Sequence, residues 1–295
     1  MSLFSTIKRN AKMALSGRWG AAIGTFLLVA GVGALLAGLE HWALRIFVVD
    51  PLLQNPTMEP PAYDLAQLTR ELLIGSRAEM LISTLFMLLT LLLLSPLQLG
   101  LTRWYYTLIR GNAAPFGEIF HFFETLQRYL RAVWYTVQLG LRSFLWSLGF
   151  FFLPGGVLGV SLWFLGTEGI SDQTRSAASV GVVMACALFF LAAALYMIFI
   201  NRYALTSYFL CESDAVSVSS ALKTSIRYTK SHRVLLLLFS LSFLGWYLLT
   251  PFTMFLLLLF VVPYYNAATM LLSRYLVEKN RLSEPDTSQE WHPIK

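Results

Sequence analysis

The sequence predicts an all-α polytopic membrane helix bundle of about six transmembrane helices. Amphipathic helices are expected on its cytoplasmic face, and both termini are expected to be cytoplasmic. Three observations carry this. Of the 295 residues, 57% are hydrophobic and only 13% are charged. A soluble domain carries about 25% charged residues, so this chain has too little polar surface to cover a water-soluble globule. The apolar residues are gathered into long runs separated by polar pieces. The basic residues then collect in alternate pieces. Of 22 Lys and Arg, all but Arg45, Arg70, Arg77, Arg142 and Arg175 fall in the N-terminal segment, after the second run, after the fourth run, or in the C-terminal tail. Positive charge is retained on the cytoplasmic side, which orients the whole bundle.

The elements follow in order. Phe4, Ile7, Ala11 and Leu15 recur at helical spacing with Lys8, Arg9 and Lys12 elsewhere around the helix. This predicts a short amphipathic helix over residues 3–16 on the inner surface. The first span is expected at about 19–39. The core of a cleaved signal peptide is about 7–15 residues, and this run is longer, so it reads as a retained helix. Gly20 and Gly24, then Ala30, Ala34 and Gly38, repeat every fourth residue, a spacing that lets another helix approach closely. An outer segment, 40–79, contains Pro51, Pro56, Pro60 and Pro61, with a short helix expected over Leu65–Leu73. The second span is expected at 80–101 and ends in the interfacial belt Arg103-Trp104-Tyr105-Tyr106. Phe116, Ile119, Phe120 and Phe123 then mark a segment lying along the headgroups.

The third span has two readings. A straight helix from Arg131 to Gly166 would run about 53 Å, against a hydrocarbon core of about 30 Å. Pro154-Gly155-Gly156 is therefore expected to break it. The span is either 132–153, or 143–165 with 126–142 on the inner surface. Arg128, Arg131, Tyr135, Gln138 and Arg142 alternate at steps of three and four, which makes one polar stripe. The fourth span is expected at 177–200. Ser217 to Lys230 reads as an amphipathic helix with Leu222, Ile226 and Thr229 on one side. The last apolar block divides at Thr250-Pro251 into spans 234–249 and 252–274, with Pro263 kinking the second. Residues 283–295 form a polar tail.

Four ordered pieces carry a resemblance: residues 11–20 (Ala11 to Gly20, with Ser16-Gly17-Arg18-Trp19); Leu145-Trp146 followed by Pro154-Gly155; Ala221-Leu222 to Ser225 followed by Lys230 to Arg233; and Ser242-Phe243-Leu244-Gly245-Trp246 followed by Pro263-Tyr264. Together they resemble a bacterial integral-membrane family catalogued as domain of unknown function 975. Such proteins are similar to the membrane portion of some glycerophosphodiester phosphodiesterases. The resemblance implies a multi-pass protein of the bacterial cell membrane and no particular activity. One departure is the longer stretch here between Gly156 and Tyr203, with an extra outer loop over Thr167–Ser176.

No expected span contains Asp or Glu. No phosphate-cradling glycine loop, zinc spacing or nucleophile elbow occurs. No catalytic residue, metal or cofactor is expected, and nucleic acid is not an expected partner. Cys186 and Cys211 are not expected to pair. Arg142 is the sharpest single residue, because an arginine within a span costs about 2.5–3.5 kcal/mol on insertion scales. It either snorkels to the interface or faces the interior, where Gln138 and Asn266 are candidate neighbours and an anionic headgroup or small anion the ligand. The helix breaks Pro154, Gly155, Gly156 and Pro263 are the other candidate features, read as packing kinks or as exposed backbone for a substrate. The expected function is a non-catalytic protein that organises lipid or a partner protein at the inner leaflet. Anionic headgroups are its expected partners, with a homo-oligomer or second membrane protein beside them. The alternatives are a transporter or permease component for a lipid-like or anionic solute, and a membrane enzyme accessory.

Overall fold

A computed structural model describes residues 3–49, 65–167 and 169–283. The outer-segment prolines Pro51, Pro56, Pro60 and Pro61, and the tail beyond Ser283, lie outside these residues. Among the described residues every regular element is helical. Helix α1 is Leu3–Leu15, and α2 is Trp19–Leu44, prolonged by a π-helical turn over Arg45–Val49. Helix α3 is Leu65–Ile109, followed by a 3-10 segment, Phe116–Phe123. Helix α4 is Leu126–Gly166 and α5 is Asp172–Ile200. Helices α6 (Thr206–Glu212) and α7 (Val218–Thr229) follow. The last apolar block holds α8 (Arg233–Leu241), α9 (Leu244–Leu248) and α10 (Leu258–Ser283).

Four stretches are long and apolar enough to cross a membrane: Trp19–Val48, Arg77–Ile109, Leu126–Gly166 and Asp172–Glu212. A fifth qualifies only if α7 and Arg233–Leu248 count as one span, and these are bent by 87° at Lys230–His232. About six had been expected. At most 17% of the apolar window of any of the four is buried in protein. Phe152 and Phe190 in α4 and α5 are about four-fifths exposed. Apolar surface on this scale is rare on a water-soluble protein and is consistent with a helical membrane bundle.

Several expected boundaries move, each for a local reason. Span 1 runs past Leu39, because neither Gly nor Pro follows Gly38 until residue 51. The short helix at Leu65 is the start of α3 rather than a separate piece. Pro154-Gly155-Gly156 does not end the third helix: α4 passes through Pro154 unbroken, about 61 Å long at 1.5 Å per residue. Proline is tolerated inside membrane helices because only one ladder bond is lost. The expected surface helix 126–142 is therefore the lower part of the same rod. Another proline, Pro96, lies buried inside α3 and leaves the Leu92 carbonyl without its i+4 donor. The Tyr129 hydroxyl donates to that carbonyl at 3.1 Å.

The region expected as span 5, 234–249, is not one helix. It breaks at Ser242-Phe243, where the Lys8 ammonium donates to the Ser242 carbonyl at 3.0 Å. Pro251 then opens a turn that closes through Met254 and Phe255 in left-handed conformation, φ 48° and 64°. Pro263 lies buried inside α10, which runs on to Ser283 rather than stopping near 274.

The tight core sits at one end of the bundle, the basic end. Ile7, Ala11 and Leu15 of α1 are buried there, so α1 packs on protein rather than lying free on lipid. Its Phe4 ring meets Phe239 edge-on at 5.3 Å. Trp104, Tyr105 and Leu108 of α3, Ile119 and Phe122 of the 3-10 segment, Leu205 and Leu210, and Leu272 and Leu276 of α10 complete the core. The 3-10 segment turns Ile119 and Phe122 inward and leaves Phe116, Phe120 and Phe123 exposed. Its seat on α3 requires a glycine: a Cβ on Gly100 would overlap the Ile119 carbonyl. Away from this end, α4 and α5 pack mainly on each other. Ala178, Ala185 and Ala192 form the buried seam of α5.

Candidate functional site

The polar stripe of α4 faces protein. Its residues lie against the segment 203–219, and they fall into two groups of different electrostatic character.

The lower group is neutralised. Asp214 sits between α6 and α7 and gathers basic side chains from three directions. Arg128 lies at 2.8 Å, Arg131 at 3.5 Å, Arg103 at 3.9 Å and the His121 Nε2 at 3.5 Å. Arg103 also holds Glu118 at 2.7 Å, and Arg131 donates to the Ser213 carbonyl at 2.7 Å. The network ties α3, the 3-10 segment, α4 and the α6–α7 turn together. Burial pushes the His121 imidazole down, Arg103 and Arg128 push it further, and Asp214 and Glu124 oppose them without prevailing. Burial alone would raise the Asp214 carboxyl, but Arg128, His121 and Arg103 hold it below its ordinary value. A second neutralised group ties the end of α3, α6 and α10 together at the same end of the bundle. Arg281 donates to both oxygens of Glu212, at 2.9 and 2.6 Å, and Arg110 lies 3.7 Å from it.

The upper group is not neutralised. Gln138 donates to Ser219 Oγ at 3.4 Å, and Arg142 donates to Gln138 Oε1 at 3.4 Å. The Arg142 guanidinium lies 5.9 Å from the Tyr203 ring. Arg202 lies 5.6 Å from the same ring and 5.5 Å from Trp146. Arg233, at the start of α8, lies 5.9 Å from Phe199. The rings are themselves joined: Trp146 Nε1 donates to the Tyr203 hydroxyl at 3.3 Å, and Trp146 and Phe199 are 4.9 Å apart. Three guanidiniums thus surround one aromatic cluster where α4, α5 and α8 meet. None of them has a carboxylate partner among the described residues. Arg202 and Arg233 each bury an Nε with no hydrogen-bond partner.

Of the expected site residues, Arg142 and Gln138 come together and Asn266 does not join them. Asn266 is on α10, facing the buried Tyr105 side chain beside Thr25. The Thr269 hydroxyl, one turn further along α10, is buried without a hydrogen-bond partner among the described residues. Pro154, Gly155, Gly156 and Pro263 lie within helices and expose no broken helix end. Instead, the break in the last block is at Ser242, and Lys8 covers it. Both cysteines are free. Among the described residues no group of three or more His, Cys, Asp or Glu side chains is placed to hold a metal ion.

Arg202, Arg233 and Asp214 were not singled out from the sequence. The first two counted as ordinary inner-side charges; the signal available was their position beside aromatics at the ends of apolar runs.

A family model described as "Protein of unknown function (DUF975)" matches residues 1–280. The chain belongs to this family. No curated protein and no solved structure matches it. The likeness to the membrane portion of glycerophosphodiester phosphodiesterases is therefore not shown. The four ordered sequence pieces lie within the matched residues, and the family description assigns no chemistry to the arginine cluster.

Proposed function

We propose that this DUF975 protein is a non-catalytic, multi-pass protein of the bacterial cell membrane that organises lipid or a partner protein at the inner leaflet. Both termini face the cytoplasm, and the basic end of the bundle is the inner end. The observation that carries the reading is the asymmetry of the molecule. The tightly packed cap lies at the basic end, while the helices leading away from it are bare apolar rods suited to lipid. The cap also presents apolar edges beside its cations. Phe116, Phe120 and Phe123 are exposed, as are Trp246, Phe252, Met254 and Phe255 on the broken hairpin. Aromatics and cations at one level suit an interface with anionic headgroups. On this reading the six expected spans become four, and the hairpin of α8, α9 and the start of α10 is held at the inner side. Its Phe260 lies 6.1 Å from Trp19, at the start of α2, and its Tyr264 hydroxyl donates to the Lys8 carbonyl at 3.3 Å.

A transporter component is the second reading. The unpaired buried hydroxyls of Thr206 and Thr269 favour it, since polar groups inside a membrane bundle often mark a solute path. Native mass spectrometry after gentle extraction from the source membrane separates the two. A retained partner chain or retained anionic lipid is expected. Absence of both, with solute flux in proteoliposomes, would reject the organising role in favour of transport.

A further inference from the structure

The arginine cluster has a chemistry that the organising role leaves unspecified. A guanidinium at a membrane boundary needs a counter-charge or water, and three set around one aromatic cluster concentrate positive charge there. The protein does not supply that anion from its described acids at this end. Glu118 holds Arg103, Glu124 holds Arg128, Glu212 holds Arg281, Asp214 is surrounded by its own cations, and Glu278 holds Arg274. Each is committed elsewhere, while Arg142, Arg202 and Arg233 remain uncompensated.

Their setting also selects the kind of anion. Arginine presents a planar fork of donors that matches the oxygens of phosphate, often in paired hydrogen bonds. The Trp146, Phe199 and Tyr203 rings hold the guanidiniums by cation–π contact without consuming their in-plane donors. Arg202 and Arg233 retain a buried, unpartnered Nε. The cluster lies where the apolar part of α4 begins and where α5 ends. An acyl-chain-bearing ligand would find bare helix beside it: Phe144 and Leu145 of α4 and Val234 of α8 are exposed.

We propose that Arg142, Arg202 and Arg233 form a binding site for a phosphate group, the headgroup phosphate of an anionic lipid or free phosphate. The site rests on the basic end being the inner end. It deepens the organising role by naming what is held and where.

The test uses the full chain in detergent micelles, with native mass spectrometry of bound phosphatidylglycerol, phosphatidylcholine and inorganic phosphate, each added at defined concentrations. Wild type is expected to retain phosphatidylglycerol in preference to phosphatidylcholine. A basic residue near an anionic surface contributes about 1 kcal/mol, or about five-fold in affinity. Arg142→Gln, Arg202→Gln and Arg233→Gln should each weaken retention by about that factor, and the triple variant by about a hundred-fold. Arg110→Gln, at the Glu212 pair, should leave it unchanged. Retention of inorganic phosphate alone, with displacement of the lipid, assigns the site to a soluble anion. Preference for the lipid, undisturbed by millimolar phosphate, assigns it to a headgroup. Undiminished lipid and phosphate retention in the triple variant overturns the site. If that variant does not fold, Arg142→Gln decides alone, because Arg142 rests only on Gln138 and the face of the Tyr203 ring. A wild type that retains neither ligand yet captures a partner chain overturns the site and leaves the organising role standing.

Discussion

Replacing Gly100 by alanine should undo the cap with one methyl group. The added carbon would sit on the backbone carbonyl of Ile119, which no side-chain rotation can relieve. Either α3 or the whole 3-10 segment must shift. Overpacking a tight site costs about 1–3 kcal/mol, and a collision with backbone belongs at the upper end. At about 2–4 °C per kcal/mol for a chain of this size class, the melting midpoint should fall by about 6–12 °C. The damage should spread, because the 3-10 segment carries Glu118 and His121 to Arg103 and Asp214. The control is Gly31→Ala in α2, where nothing lies within 4 Å of the new carbon. Alanine is the better helix former by about 1 kcal/mol, so that variant should be unchanged or slightly more stable. The assay is thermal unfolding of both variants in one detergent, followed by tryptophan fluorescence. Gly100→Ala melting with wild type would refute the close seating of the 3-10 segment. Equal loss in Gly31→Ala would refute the claim that the effect is local.

Three further expectations follow from the same end of the molecule. Asp214→Asn removes the shared partner of Arg103, Arg128 and Arg131; because the carboxylate is about a third exposed, the loss should be about 1–2 kcal/mol by thermal melting rather than the 3–5 of a fully buried pair, and an unchanged midpoint would show the cations to be satisfied without it. Tyr129→Phe removes the donor to the carbonyl freed by Pro96 and should cost about 1 kcal/mol, whereas in a Pro96→Leu background, where a backbone N–H returns, the same change should be neutral; equal costs in both would break the link. The third concerns pH: His121 is held below its ordinary 6.5 in the folded protein, so below that pH the unfolded chain takes up a proton that the folded one refuses. Stability should decline as pH falls from about 6.5 toward the lowered folded value, and decline again as Asp214, also held low, begins to protonate below its ordinary 3.8. His121→Gln should abolish the first decline and keep the second; a melting curve from pH 7.5 to 5 that is identical in both proteins would contradict the assignment.

The membrane class was legible because it rests on composition and run length, which tertiary packing cannot reverse. The stripe Arg128-Arg131-Tyr135-Gln138-Arg142 was legible because helix periodicity fixes a face without reference to any partner. What that face meets was not, since Asp214, Tyr203 and Ser219 come from a segment separated by an entire helical hairpin. Prolines misled in both directions. Pro154 suggested a break, yet a single lost ladder bond leaves the helix intact, whereas the actual break at Ser242-Phe243 has no proline. Its stabilising donor, Lys8, comes from the other end of the chain. Asn266 was grouped with Arg142 on polarity alone; it faces Tyr105 of α3 instead. Arg202 and Arg233 became notable only once their aromatic surroundings and the commitment of nearby acids were visible.

The orientation of the bundle carries the account, and single-cysteine labelling in intact cells tests it most directly. With Cys186→Ala and Cys211→Ala as background, Ala113→Cys probes the turn after α3 at the basic end, and Gln173→Cys probes the start of α5 at the other; both positions are exposed. A membrane-impermeant maleimide should label Gln173→Cys in intact cells and Ala113→Cys only after the membrane is opened. Labelling of Ala113→Cys from outside, with Gln173→Cys protected, would place the arginine cluster on the outer face and contradict the account.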